Sequence, residues 1–146
     1  MGIEFYVSFA FLSLVVFICL LLAFISMLQN RLYFIFIARQ INAIREYLLQ
    51  NESRDFKNNQ LYTSTNFSAC KIFSVHSFLL VGSALLCALF GSTFFYSLTM
   101  CLFEKNYFCI NIFSFFIIFC TLVVSGFFYL SIQSNKTSDI AIHGSL

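Results

Sequence analysis

The sequence has no proline, five glycines, two histidines, and charged residues at only 10% of its 146 positions. Each scarcity removes a class of protein. Transporters that bind ions at mid-membrane use helices broken at Gly or Pro and ionisable side chains inside the bilayer. Here the long apolar runs carry no Asp, Glu, Lys or Arg and no such break. Catalytic constellations are also missing: there is no P-loop, nucleophile elbow, H-E-x-x-H motif or carboxylate pair, so an enzyme is not expected and no cofactor is implied. The six cysteines, Cys19, Cys70, Cys87, Cys101, Cys109 and Cys120, form no C-x-x-C pair and have no His at zinc-ligand spacing, so no metal site is expected. The net charge of +2 comes without a basic stripe that could track phosphates, which argues against nucleic acid as a partner. No small-molecule substrate is evident either.

What the chain does have is apolar mass, at 60% of residues with 22 Phe. A soluble domain of this length leaves a large share of its surface in water and cannot hide so much. A lipid bilayer can. Three runs have the length to cross a ~30 Å hydrocarbon core at ~1.5 Å per residue: Phe5 to Leu28, Ile72 to Phe103 and Ile110 to Ile132. The second is longer than a crossing needs, so it tilts or projects. A cleaved signal peptide would have a basic start and a shorter apolar core. The only charge ahead of the first run is Glu4, so that run reads as a retained span. The expected fold is an all-α integral membrane protein with three transmembrane helices, the first extended by an amphipathic cytoplasmic helix.

That extension follows from Gln29 to Gln50, where neither Gly nor Pro stops the helix. On a 100° wheel Arg31, Asn42, Arg45 and Glu46 gather on one side with Arg39 at its edge, while Tyr33, Phe34, Phe36, Ile37, Ile41, Ile44, Tyr47 and Leu48 cover the other, with Gln40 among them. Ile35 and Ala38 fall inside the polar arc. The segment reads as lying on an anionic leaflet or docking on a partner through Arg31, Arg39 and Arg45. Asn51 to Ser68 is polar and reads as a loop.

Within the second span Ser83, Cys87 and Gly91 recur every four residues, with Ala84, Ala88 and Ser92 beside them. Two such small-residue ridges let another helix approach closely, either within the chain or from a second copy. His76 lies in the first turns of this span, close enough to the membrane surface to reach water or a head group. Cys101 and Cys109 flank a short turn at which an outer disulfide would fit in an oxidising compartment, with free thiols the simpler expectation. Three Asn-x-Ser/Thr triplets begin at Asn51, Asn66 and Asn135. They fall on segments expected in the cytoplasm and read as coincidental.

The chain thus divides into an N-terminal outer end and first span (1–28), a cytoplasmic amphipathic helix and polar loop (29–71), two further spans with a short outer turn (72–132), and a cytoplasmic tail (133–146). The layout of three spans resembles that of some phage holins, but the basic segment between the first two spans is longer than their compact loops. Two functions fit. One is a structural or accessory membrane subunit with a cytoplasmic interaction surface; the other is an oligomeric pore-forming or membrane-perturbing effector. The expected partners are the lipid bilayer and either a second copy of the chain or another membrane protein.

Six of the eight Lys and Arg lie between Arg31 and Lys71. Basic residues near span ends are retained in the cytoplasm, so the expected topology has the N-terminus outside and the C-terminus inside, in the cell (inner) membrane. A reporter that is active only outside the cytoplasm should be silent when fused after Asn58. Activity there would reverse the topology.

Overall fold

The computed structural model describes residues 3–51, 74–103 and 108–142. They form three α-helices in chain order: α1 (Ile3–Asn51), α2 (Val75–Phe103) and α3 (Phe108–Ile142). All three are long and apolar enough to cross a membrane, and each packs on both of the others. The protein is a three-span, all-helical membrane protein.

No residue within α1 interrupts backbone hydrogen bonding, so its 49 residues extend ~73 Å, more than twice a bilayer core. The expected junction near Leu28 between span and extension is not marked by any break in the helix. The polar stretch from Gln133, expected as a tail, continues α3 to Ile142 instead. At the other junction Ser74 starts α2. Its Oγ accepts from the Ser77 amide at 3.2 Å and its carbonyl accepts from the Phe78 amide at 3.1 Å, which satisfies two amides at the helix start.

The buried side of α1 repeats every seven residues. Ala10, Phe24 and Arg31 lie on one row with Phe17, and Leu28, Ile35 and Asn42 on the next. A repeat averaging 3.5 residues keeps one stripe against its neighbours along the length of a helix. The core consists of Phe24, Leu28, Leu80, Ala84, Cys87 and Leu130, flanked by Phe17, Phe119 and Val123. Two glycines let the helices approach. A Cβ at Gly91 would lie 2.9 Å from Ile118 and 3.0 Å from Phe17, and one at Gly126 would lie 3.0 Å from the tip of Phe24.

The outer surface is the reverse of a soluble protein's. Phe11, Leu22, Phe78, Phe113, Val124 and Phe128 are all exposed, as suits helices whose solvent is lipid. Hydroxyls are satisfied within their own helices. Ser83 donates to the Leu80 carbonyl at 2.9 Å, Ser97 to Thr93 at 2.9 Å and Ser114 to Asn111 at 2.9 Å. This back-bonding lets Ser and Thr sit in an apolar surround without a partner on another helix.

Two glycines of α2 should therefore respond in opposite directions. Gly91→Leu should lower the thermal midpoint in mild detergent, because the side chain must displace Ile118 and Phe17. Gly82 has nothing within 4 Å of its Cβ position, so Gly82→Ala should be neutral or stabilise by up to ~1 kcal/mol through helix propensity. Equal midpoints for Gly91→Leu and wild type would mean that this ridge faces lipid.

Candidate functional site at the basic end of the bundle

The ridges of α2 are used inside the chain. Ser83, Ala84, Cys87, Ala88, Gly91 and Ser92 are all buried, with Gly91 facing Phe17 of α1 and Ile118 of α3. Cys101 and Cys109 carry free thiols, as do Cys19, Cys87 and Cys120; Cys70 lies outside the described residues. Among the described residues no three of His, Cys, Asp and Glu come together as a metal would require.

The arginines of α1 are placed differently from the sequence-based expectation of an outward arc. Arg31 is 8% exposed and Arg39 7%, and Asn42 is buried with them, while Tyr33 is 68% and Ile44 60% exposed. Arg45 is half-buried. The polar side of this stretch faces the bundle and the apolar side faces out. The cause lies upstream: Phe17, Phe24 and Leu28 set the rotation of α1 against α2 and α3, and an unbroken helix carries it on to Arg31, Ile35, Arg39 and Asn42. Ile35, the apolar residue within the polar arc, is fully buried. It was the sign in the sequence that this arc is the inner one.

The two buried arginines have different surroundings. Arg39 donates through Nη1 to the Ser134 carbonyl and so joins α1 to α3. Ser134 is itself buried and donates its hydroxyl to the Ser131 carbonyl at 3.1 Å. Arg31 lies one layer closer to the core, its guanidinium carbon 5.5 Å from the centre of the Phe34 ring, a cation–π separation. The same ring lies 5.9 Å from His76 of α2. Arg31, Asn30, His76 and Ser77 supply the polar lining of a cavity of about 320 Å³ whose remaining wall is Met27, Phe34, Leu79, Leu80, Phe127 and Leu130.

The cavity unites Arg31 and His76, which sequence reasoning treated as unrelated, and adds Asn30 and Ser77, which it did not single out. No local pattern links residues 45 positions apart. Their meeting follows from antiparallel pairing of α1 with α2, with Ser74 fixing where α2 begins. A second hollow lies on α3 at Cys120, Thr121, Val124, Ser125 and Phe128. All its lining comes from one helix, and the Ser125 hydroxyl is already bonded to the Leu122 carbonyl at 3.2 Å. Comparison with protein-family models, curated proteins and solved structures gives no match.

Arg39 should be a staple between α1 and α3. A hydrogen bond from a charged donor contributes ~1.5–3 kcal/mol, so Arg39→Ala should destabilise by about 2 kcal/mol and speed amide hydrogen exchange around Ser131 to Asn135. Arg45→Ala should cost less than ~0.5 kcal/mol. Similar losses at both positions would show that Arg39 acts through general charge and not through Ser134.

Proposed function

We propose that this chain is a structural or accessory subunit of a membrane assembly, acting by helix packing and by a surface on the basic part of α1, with no catalytic step of its own. The observation that carries this reading is that the close-packing ridge of α2 is occupied within the chain. A homo-oligomeric pore built on that ridge would need it free. The core between the helices is filled by Phe24, Leu28, Leu80 and Leu130. A conduit formed between copies would be lined by outward side chains, and these are largely apolar, a lining that conducts only after wetting.

The surface left to a partner is the outward stripe of Tyr33, Ile37, Ile41, Ile44 and Tyr47. In this reading the Arg31 to Lys71 segment is cytoplasmic, by the bias of basic residues, and the protein resides in the cell membrane with its N-terminus outside. The partner is another membrane protein that packs on this stripe at or near the cytoplasmic surface.

Solubilisation of the full chain in mild detergent, followed by mass measurement, tests the proposal. A complex with a different protein in fixed ratio is expected, and Ile41→Asp with Ile44→Asp should abolish it while helicity is retained. A large assembly of this chain alone that releases dye from vesicles would overturn the subunit reading and establish the pore-forming effector.

A further inference from the structure

The cavity at the basic end combines charge, shape and depth in a way that the subunit reading does not use. Its floor is closed by Leu80 and Leu130, both buried, with Arg31 and Ser77 buried beside them. Its rim is made of exposed side chains: Met27, Phe34 and Leu79. The opening therefore lies on the outer side of the bundle, where the helices meet lipid, and leads in to a guanidinium.

Two positive features converge there. One is Arg31. The other is the start of α2, whose first turn contains His76 and Ser77 and whose macrodipole places partial positive charge at that end. His76 and Asn30 add side chains able to donate to an oxygen acceptor. An anion is the complementary ligand, and the apolar remainder of the wall suits a ligand with a hydrocarbon part. The volume is at the lower end of the range for small-molecule sites, ~300–1,000 Å³.

Depth gives an independent indication. Tyr33 adjoins Phe34, and Tyr129 adjoins Leu130, so each tyrosine flanks a residue of the cavity wall; both are exposed. Exposed tyrosines on membrane helices concentrate at the level of lipid head groups. The cavity is thus at the depth where a phospholipid carries its phosphate, with acyl chains extending along Leu79 and Met27 toward the bilayer interior.

We infer that this cavity is a binding site for an anionic phospholipid, its phosphate held by Arg31 at the start of α2 and its apolar portion against Leu79, Leu80 and Leu130. Arg31 supplies charge and hydrogen bonds to the phosphate oxygens, as guanidinium groups do in many phosphate sites. Ser77, which is buried, and His76, which is exposed, line the same cavity.

The test uses the full chain in mild detergent with three probes: phosphatidylglycerol, phosphatidylcholine with the same acyl chains, and inorganic phosphate. Native mass spectrometry and the thermal midpoint are the readouts. Phosphatidylglycerol should bind as one retained molecule per chain and raise the midpoint, with neither effect from the other two probes at equal concentration. Arg31→Gln should weaken its binding ~10-fold or more, the scale of a lost charge-assisted contact. Leu79→Trp, which fills the mouth and leaves the charge in place, should also reduce retention and covers the case that Arg31→Gln fails to fold. Arg45→Gln, outside the cavity, should bind like wild type. Equal retention of the choline lipid, full stabilisation by inorganic phosphate, or unchanged binding by a folded Arg31→Gln or by Leu79→Trp would each overturn the inference. These readouts are independent of whether a protein partner is found.

Discussion

The structure depends on one constraint, the rotational phase of α1. A helix of this length with neither Gly nor Pro from Gln29 to Gln50 has no point at which to change the side it presents. Once Phe17, Phe24 and Leu28 are seated against α2 and α3, every later residue is committed. Arg31, Ile35, Arg39 and Asn42 are turned inward by the same repeat that buries the phenylalanines. The basic segment is therefore continuous with the core, and its charges become internal features of the bundle.

Turning arginine inward makes sense only where the outside is worse. For a helix in water the apolar stripe of Tyr33, Ile37, Ile41 and Ile44 would be buried and the arginines exposed. In lipid, or against an apolar partner, the order reverses: ionisable side chains face the bundle interior and find partners there. Arg39 finds the Ser134 carbonyl. This contact holds α3 alongside α1 two residues beyond the apolar run that ends at Ile132, and Ser134 is buried there. Hydrogen-bonded hydroxyls and fitted glycines do the corresponding work in the apolar layers, where lipid offers no hydrophobic drive for helices to associate.

Much of the architecture was legible in the sequence because its signals are local. Three charge-free apolar runs define three spans, and the four-residue spacing of Ser83, Cys87 and Gly91, with Ala84, Ala88 and Ser92 alongside, marks a close-packing side of α2. Other features were hidden because they depend on registration between helices. Gly126 is as tightly packed as Gly91, yet it belongs to no small-residue ridge, and its need arises only from the Phe24 ring opposite. Viewed on its own wheel, the stretch from Arg31 to Ile44 separates Arg31, Arg39 and Asn42, which are buried, from Tyr33, Ile37, Ile41 and Ile44, which are exposed, and leaves open which group is inside. Extending the seven-residue rows from Ala10 and Phe24 resolves that choice, and Ile35 in the polar arc agrees with it. The cavity was less accessible still, since it requires both the inward phase of Arg31 and the starting point of α2 at Ser74.

The two buried arginines then separate structure from recognition. Arg39 reaches a backbone carbonyl on a neighbouring helix, a contact within the chain that adds stability. Arg31 is one layer nearer the apolar core, where the cost of burying a cation is higher, and it lines the cavity. Its ring contact with Phe34 spreads charge over an exposed aromatic that also approaches His76. If holding the helices together were the only requirement, Leu or Phe at position 31 would continue the row of Ala10, Phe17 and Phe24 and close the cavity. The position instead combines positive charge, the start of α2 and an opening to the lipid side, and recognition of an anionic amphiphile accounts for all three.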